Sequence, residues 1–348
     1  MVSGRGPNPA RTPGTASRRT SRGRGPAVRG DPRPGATGVG PGRFSLRPHP
    51  PLDFDLTLQR YRLWGEDPAN LYRDGAFYRV ARLGGAAVPF RLTAAGSPDR
   101  PRLTVTFDGP DTVATRRALT AEVHRLLGLD ADLTGFYAQV AEDPVLGPLV
   151  PRLRGLRPAL ASNAFEMLVG AIAAQQVNLA FAFATRARLV RALGEPFRFD
   201  GVTVHAFPSP AAVAGADVTT LRAMQFSTRK AEYLIGLGQA VADRTLDLAG
   251  LTHAADHEVI ARLTAVRGLG RWTAEWFLAR GLGRPDICPA EDLGVRRAVE
   301  ALCYHGRACD PARVRRRVLG WRPYRSLAVH YLLAGARLAR GAASGGGT

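Results

Sequence analysis

The chain has 348 residues, 48 Lys+Arg against 29 Asp+Glu, a formal net charge of +19 and 45% hydrophobic residues. This length allows two or three domains with buried cores, and three cysteines are too few for a disulfide scaffold, which favours a reducing compartment. No apolar run approaches the ~20 residues of a membrane-spanning helix, so we expect no membrane partner. The excess of arginine indicates a polyanionic partner, most simply nucleic acid.

The two ends of the chain have extreme compositions. Residues 1–43 carry nine arginines and one aspartate, and they contain no aromatic residue, leucine or isoleucine. Such a segment cannot bury enough apolar surface to offset its chain entropy, so we predict a disordered basic tail over 1–43. An arm that tethers the protein to DNA and an extension without function both remain open. Residues 342–348 are predicted to form a flexible C-terminal tail.

From Phe44 to Leu129 the pattern predicts strands followed by a helix. Residues 77–83 and 88–92 flank the turn Gly84-Gly85, which is a hairpin signal, and residues 103–107 have the composition of a third strand. Apolar residues at helical spacing begin after Asp111. We therefore predict a small antiparallel α/β domain over 44–129, without catalytic residues.

From Asp130 onward the strand signal disappears and helical spacing dominates. Asn163 and Glu166 have the spacing of a capping box at the start of one helix. Further helices are predicted over residues 186–193, 210–223, 229–242, 257–266, 272–280, 293–303 and 326–336. The predicted fold class is therefore α+β, with a small antiparallel sheet domain followed by an all-α region over 130–341.

The most informative segment is Gly268-Leu269-Gly270, where one helix ends and the next begins at once. The glycines permit a turn tight enough to expose several backbone N–H groups, while Leu269 can enter the core between the helices. Backbone N–H groups at a helix N-terminus form an anion site suited to a DNA phosphate. An ordinary helical turn with two glycines has the same pattern, so this motif alone leaves both interpretations open.

Together with later motifs, the hairpin resembles that of the helix-hairpin-helix superfamily of DNA glycosylases. In that family a loop after the hairpin carries the catalytic aspartate, and Asp292 in the run 285–296 matches it. Residues 173–178 resemble the family's Gln-rich turn, whose side chains fill the gap left in the duplex. Residues 321–326 resemble the Trp-x-Pro-aromatic-Arg-Ser signature of the 3-methyladenine DNA glycosylase II branch. The resemblance covers residues 155–340 and, more loosely, the sheet domain.

This resemblance implies a helix-hairpin-helix glycosylase core of two subdomains over 130–341, with the active-site cleft between them. It also implies a monomeric protein whose partner is double-stranded DNA with a damaged base, located in the bacterial cytoplasm at the nucleoid. The DNA-binding residues that it indicates come from the hairpin, the Gln-rich turn and the C-terminal signature: Gly268, Leu269, Gly270, Arg271, Thr273, Gln175, Gln176 and Arg325.

Two departures from the family pattern indicate the subtype. Bifunctional members, which nick DNA through a Schiff base, carry a lysine where this chain has Trp272, so we expect a monofunctional enzyme. Iron–sulfur members carry four C-terminal cysteines, whereas Cys303 and Cys309 have no such partners here, so we expect no cofactor and no side-chain metal site. A metal ion on hairpin carbonyls, as in relatives, stays open.

The mechanism expected centres on Asp292. Removing a base creates positive charge on the deoxyribose, which a nearby carboxylate stabilises while it orients or deprotonates the attacking water. An N-alkylated purine is already cationic and leaves without a general acid, so one carboxylate is enough. Asp292 can also cap the helix that begins at Leu293, and Glu291 is its rival. Trp272, Trp276 and Tyr324 are predicted to offer aromatic faces to the cationic base.

The function predicted is excision of alkylated bases, chiefly 3-methyladenine, from duplex DNA during base excision repair. One alternative is a glycosylase for another lesion, such as hypoxanthine, uracil or an oxidised purine. An oxidised guanine is uncharged, so its departure demands more acid assistance than this site offers. A second alternative is a non-catalytic helix-hairpin-helix DNA-binding protein, which would gain nothing from a carboxylate beside the DNA backbone.

Overall fold

The computed structural model describes residues 33–34 and 41–345. The strands are β1 Arg33–Pro34, β2 Gly42–Leu46, β3 Leu71–Arg73, β4 Ala76–Leu83, β5 Ala86–Ala95, β6 Arg102–Phe107, β7 Pro196–Phe199 and β8 Val202–His205. The α-helices are α1 Phe54–Leu58, α2 Arg60–Leu63, α3 Val113–Leu127, α4 Leu133–Val140, α5 Leu149–Arg152, α6 Ala164–Ala174, α7 Leu179–Leu193, α8 Pro210–Ala214, α9 Val218–Ala223, α10 Thr228–Ala242, α11 Asp256–Thr264, α12 Arg271–Trp276, α13 Leu293–Cys303, α14 Pro311–Val318 and α15 Arg325–Gly345. Single 3₁₀ turns occupy Gly250–Thr252 and Leu319–Trp321, and a π-helical segment occupies Phe277–Gly281.

The N-terminal domain is built on a five-stranded antiparallel sheet in the order β2-β6-β5-β4-β3. The predicted hairpin is confirmed as β4 and β5, and both turn glycines have positive φ, 56° at Gly84 and 87° at Gly85. Two-residue hairpin loops favour that left-handed geometry. Strand β6 confirms the third predicted strand. Helices α1 and α3 bury one face of the sheet, where Phe77, Phe90 and Phe107 form the centre of the core.

The predicted boundary of the basic tail at residue 43 is wrong. Gly42 and Arg43 belong to β2 and pair with Phe107 and Thr106 of β6. The ring of Phe107 lies directly over Gly42, where a side chain would overlap it. Arg33–Pro34 also pairs, in parallel with β7. The tail was predicted from its lack of apolar residues, whereas strand pairing uses backbone hydrogen bonds, which do not require apolar side chains. The rest of the predicted tail, residues 1–32 and 35–40, lies outside the described residues.

The helical region contains one element that its apolar spacing does not predict. Strands β7 and β8 form a short antiparallel hairpin whose turn is Asp200-Gly201, with φ of 52° and 77°. The expectation of an all-α region is therefore wrong at this point. Asp-Gly between two runs of alternating apolar residues is a strong hairpin signal. It was missed because the apolar spacing of the helices on either side was taken to continue through it. The hairpin packs beside β4, where Phe197, Phe199 and Tyr78 share a small apolar cluster.

The predicted helices are present, with changed bounds. The helix predicted over 210–223 is two helices, because Asp217 accepts the N–H of Thr220 at 2.7 Å and so begins α9 as its N-cap. Asn163 caps α6 as predicted, and its Oδ1 accepts the N–H of Glu166 at 2.7 Å. Helix α15 continues to Gly345, so the tail predicted from residue 342 begins too early, while residues 346–348 lie outside the described residues. In this region, helices α4, α5 and α14 were not predicted.

Two separate hydrophobic cores divide the helical region, as the resemblance implies. One is formed by helices α6 to α12 together with Phe277 and Leu278. The other combines α4 and α5 with α13 to α15 around Trp321 and Tyr331. Within the part of the chain that the structure describes, no helix is long and apolar enough to cross a membrane. The sheet domain supplies a third core, and the cavity described next is lined by residues from all three parts.

Candidate active site

The predicted helix-hairpin-helix turn is present between α11 and α12. Gly268 has φ of +92°, a left-handed conformation that favours glycine. Leu269 is only 4% exposed and packs in the core of the first helical subdomain. Gly270 is exposed and caps α12, accepting the N–H of Ala274 at 3.1 Å. The Gln175 side chain donates to the carbonyl of Gly268 at 2.8 Å, so the Gln-rich turn and the hairpin form one surface.

Asp292 lies at the N-terminus of α13, on the wall of a cavity of about 310 Å³. Its Oδ1 accepts the N–H of Val295 at 2.9 Å, so the capping role foreseen from the sequence is present. The neighbouring Glu291 is exposed, pairs with Arg315 at 3.0 Å and does not line the cavity. Of the two adjacent carboxylates, only Asp292 lines the space where a substrate can enter.

Both predicted tryptophans converge on the same oxygen of Asp292. The indole Nε1 of Trp272 donates to Oδ2 at 2.7 Å, and that of Trp276 donates to it at 3.1 Å. The two side chains project from the same face of α12 because they are four residues apart. With Val295, three N–H donors fix the orientation of this carboxylate, which offers about four acceptor positions in all. An acceptor position therefore remains for a water molecule or a substrate.

The cavity is lined largely by aromatic and apolar side chains. Trp272 and Trp276 face it together with Tyr61, Trp64 and Phe183. Tyr61 lies on α2 and Trp64 directly follows it, so the sheet domain contributes part of the cavity wall, although no catalytic residue was predicted there. Electron-rich ring faces attract a cation within ~6 Å of the ring centroid. The aromatic part of the enclosure therefore suits a flat, positively charged base.

Buried charges neutralise one another beneath the cavity. Glu166, 5% exposed, accepts from Arg79 at 2.5 Å and from Arg186 at 2.6 Å, and Arg186 also pairs with Asp67. Burial alone would raise the pKa of the Glu166 carboxyl, but the charges of the two arginines outweigh it and lower that pKa to about 2. Arg79 stands on β4 and Glu166 on α6, so this network joins the sheet domain to the helical region.

Arginines line another part of the cavity wall. Arg280 belongs to the π-helical segment that follows α12, a kind of segment frequent at functional sites. Its guanidinium lies 6.0 Å from the centre of the Trp276 ring and hydrogen-bonds Nδ1 of His330 at 2.6 Å. Burial, together with the charges of Arg60 and Arg337, lowers the pKa of Arg280 to about 9. Neither Arg280 nor His330 was identified from the sequence.

Tyr324 and Thr273 do not reach the places predicted for their side chains, while Arg325 has an ionic partner and its role toward DNA stays a prediction. The hydroxyl of Tyr324 donates to Asp132 at 2.6 Å and its ring packs against Phe136, so Tyr324 does not line the base cavity. The side chain of Thr273 is buried at 1% exposure and cannot reach DNA. Arg325 is engaged with Asp286 through two contacts of 2.6 and 2.8 Å to its carboxylate oxygens. The family motif gave the position of each residue in the sequence, but it did not identify the neighbour that binds its side chain.

The remaining predicted positions border the hairpin. Gln176 is exposed and has φ of +55°, and Val177 beside it is 37% exposed. Arg271 is exposed and pairs through Nε with Glu275 at 2.9 Å. Their roles toward DNA stay predictions. Among the residues from 41 to 345, no group of three or more His, Cys, Asp or Glu side chains could hold a metal ion.

The residues that sequence reasoning missed follow a recoverable pattern. Trp64 follows Arg60 by four residues and Tyr61 by three, spacings that bring side chains together on one helix face. Phe183 has the same relation to Leu179, one turn before it, and both line the cavity. The signal was present, but nothing in the sequence indicated that α2 and α7 face the same space as α12.

Comparison with known proteins agrees with this geometry. The family model for HhH-GPD superfamily base excision DNA repair proteins matches residues 169–323, and the model for the AlkA N-terminal domain matches residues 43–162. A candidate DNA-3-methyladenine glycosylase of Bacillus subtilis is 32% identical over 292 residues, covering 81% of this chain and 95% of the relative. The matches therefore extend over both the sheet domain and the helical core.

Solved structures give the same result. The 3-methyladenine DNA-glycosylase from Archaeoglobus fulgidus superposes with a TM-score of 0.76 at 26% identity, covering 84% of this chain and 98% of that one. The 3-methyladenine DNA glycosylase of Schizosaccharomyces pombe, solved in complex with abasic DNA, has a TM-score of 0.52 at 26% identity, covering 59% and 98%. The chain belongs to the HhH-GPD superfamily of base excision DNA repair proteins, in the 3-methyladenine DNA glycosylase II branch.

Proposed function

We propose that the cavity receives an alkylated base from damaged duplex DNA and that Asp292 is the catalytic carboxylate that releases it. The observation that supports this most is the convergence of Trp272 and Trp276 on one oxygen of Asp292 within an aromatic enclosure. Only a base that has left the helical stack can enter such a space. The substrate class proposed is N-alkylated purines of the 3-methyladenine type.

The chemistry follows from the charge of the substrate. An N-alkylated purine carries a positive charge, and the electron pair of the breaking glycosidic bond moves onto the base and cancels that charge, so the base leaves neutral. Positive charge then develops on the deoxyribose, where the Asp292 carboxylate stabilises it. The same carboxylate can accept a proton from the water that attacks the sugar. Glu166 and Asp67 also line the cavity, but Arg79 and Arg186 already neutralise them.

The proposal is a monofunctional enzyme that leaves an intact abasic strand. A strand-nicking glycosylase needs an amine at the sugar to form a Schiff base. The chain has one lysine, Lys230, whose Nζ donates to the carbonyl of Ala173 at 2.9 Å and which does not line the cavity. Trp272 occupies the hairpin position that carries lysine in bifunctional relatives, and its indole N–H donates to Asp292.

The proposed DNA surface is the hairpin with the adjoining Gln-rich turn. Gly270 and Arg271 are exposed at the start of α12, and Gln176 is exposed on the neighbouring turn. The net charge of +19 favours association with DNA phosphates before any specific contact forms. We also propose a monomer, with a sheet domain over 42–129 and a glycosylase domain over 130–345, acting on the bacterial nucleoid.

The test is release of free methylated bases from duplex DNA treated with dimethyl sulfate. Wild-type protein is expected to release 3-methyladenine, and Asp292→Asn is expected to lose this release while it still binds DNA. Glu291→Gln is the matched control, because it changes an adjacent carboxylate that lies outside the cavity. Loss of release in Glu291→Gln but not in Asp292→Asn would move the catalytic role to Glu291. Tight, salt-sensitive binding without any release by wild type would contradict the function itself.

A further inference from the structure

Three arginines and one histidine share part of the cavity wall. Arg60, Arg280, Arg337 and His330 all line it. Within residues 41–345, none of these three guanidinium groups has a carboxylate within ion-pair distance, whereas the fourth arginine of the cavity wall, Arg186, pairs with Asp67 and Glu166. Arg337 also keeps a buried Nε without any hydrogen-bond partner in the described part of the chain. Positive charge therefore accumulates here without a counter-ion.

The histidine fixes the direction of Arg280. Nε2 of His330 lies 3.1 Å from the carbonyl oxygen of Arg157, which can only accept, so Nε2 carries the ring proton. Nδ1 is then a bare acceptor, and it receives an N–H of Arg280 at 2.6 Å. Burial, reinforced by the charges of Arg280 and Arg337, holds the pKa of His330 well below its ordinary value, which agrees with a neutral ring. Arg280 is thus anchored by a neutral group and keeps its full charge.

A ligand edge that contacts these three arginines meets hydrogen-bond donors. A guanidinium group has five N–H donors and no acceptor, and Arg280 uses one of them on His330. A purine carbonyl at C6, as in guanine, accepts from such a donor, whereas the amino group at C6 of adenine is itself a donor. The carbonyl also places negative partial charge against the uncompensated cations. The wall therefore distinguishes two purine types at the same ring position.

We propose that Arg280, held in place by His330, is a specificity-determining residue that shifts base release toward N-alkylated guanine and away from N-alkylated adenine. This rests on the proposed function, in which the same cavity holds the alkylated base. Arg280 does not take part in breaking the glycosidic bond. Its substitution therefore changes which base is released more than how fast Asp292 acts.

One assay measures both products. Duplex DNA treated with dimethyl sulfate contains 7-methylguanine and 3-methyladenine, and the ratio of the two released bases does not depend on the fraction of folded enzyme. Arg280→Gln is expected to lower the ratio of 7-methylguanine to 3-methyladenine by roughly tenfold relative to wild type, the effect of one hydrogen bond to a charged donor. His330→Ala, which removes the anchor, is expected to lower the same ratio by a smaller factor. Spontaneous loss without enzyme is subtracted.

A matched control is Arg317→Gln. Arg317 lies over the ring of Trp321 at 4.2 Å and pairs with Asp143, so it resembles Arg280 in its aromatic contact but lies outside the cavity. For Arg317→Gln, the ratio of released 7-methylguanine to released 3-methyladenine is expected to equal that of wild type.

The proposal would be overturned if Arg280→Gln and His330→Ala each reduced the release of both bases by the same factor and weakened DNA binding. That result would assign the arginines to a DNA phosphate. Should Arg280→Gln fail to fold, an unchanged ratio in His330→Ala overturns it as well. Absence of release of either base by the wild-type protein would instead contradict the proposed function.

Discussion

The indole nitrogen of Trp272 lies 2.7 Å from Oδ2 of Asp292, the same oxygen that Trp276 reaches from one helical turn away. The other carboxylate oxygen is bound to the start of α13. The side chain that caps one helix is thus oriented by two aromatic residues from another. The tryptophans therefore have two functions to fulfil, since they present ring faces to the cavity and they fix the carboxylate.

Substituting the indole separates those two functions. Trp272→Phe keeps an aromatic face but removes the N–H donor, so base release in single-turnover conditions should slow by about tenfold, the value of one hydrogen bond of ~1.4 kcal/mol. Affinity for abasic duplex DNA should change less than the rate. Trp276→Phe, whose bond to Asp292 is longer, should have a smaller effect. A rate equal to that of wild type in both variants would show that the carboxylate needs neither donor.

Tyr324 provides a direct test of the sequence interpretation against the structure. Its hydroxyl donates to Asp132 and its ring contacts Phe136, outside the cavity. Tyr324→Phe should therefore leave base release within about twofold of wild type and cost roughly 1 kcal/mol of unfolding free energy, from the lost hydrogen bond. Denaturant unfolding and the base-release assay check the two parts. A large loss of release in a stable variant would return Tyr324 to the base pocket.

A residue's place in the site could be predicted from the sequence where it depends on neighbours close by in the chain. The hairpin at Gly268, the cap at Asp292 and the facing of Trp272 and Trp276 depend on neighbours a few residues away, and they were predicted. The cavity wall contributed by Trp64 and Arg280 depends on packing between elements far apart in the chain. Tyr324 belongs to a correctly identified motif, yet Asp132 holds its hydroxyl outside the cavity. A motif identifies the family, whereas long-range partners decide where each side chain points.

The two hairpin glycines should respond differently to alanine. Gly268 has φ of +92°, and a Cβ there would overlap the ring of Tyr233, so Gly268→Ala should lower the free energy of unfolding by about 1–3 kcal/mol. Gly270 has φ of −100° and open space around it, so Gly270→Ala should stay within about 0.5 kcal/mol of wild type. Binding to duplex DNA should weaken in both, because the hairpin is the proposed phosphate contact. Equal stability losses would contradict the assigned backbone geometry.

The charge network beneath the cavity should make stability depend on pH. The pKa of Glu166 in the folded protein is about 2, below the ordinary value of 4.5, so the unfolded chain binds the proton first as the pH falls. The stabilisation from Glu166 is therefore complete above about pH 4.5 and declines from there toward pH 2. Glu166→Gln should lower the free energy of unfolding at pH 7 by about 3 kcal/mol, since it leaves Arg79 and Arg186 buried without their shared counter-charge. Denaturant unfolding at pH 7, 5, 4 and 3 should show the difference in unfolding free energy between variant and wild type closing only at the two lowest pH values.

The control is Glu66→Gln, which removes a carboxylate whose side chain is 47% exposed. It should shift the free energy of unfolding by less than about 1 kcal/mol at every pH. A gap for Glu166→Gln that is constant from pH 7 to 3 would mean that the lost stability comes from packing and not from the buried charge.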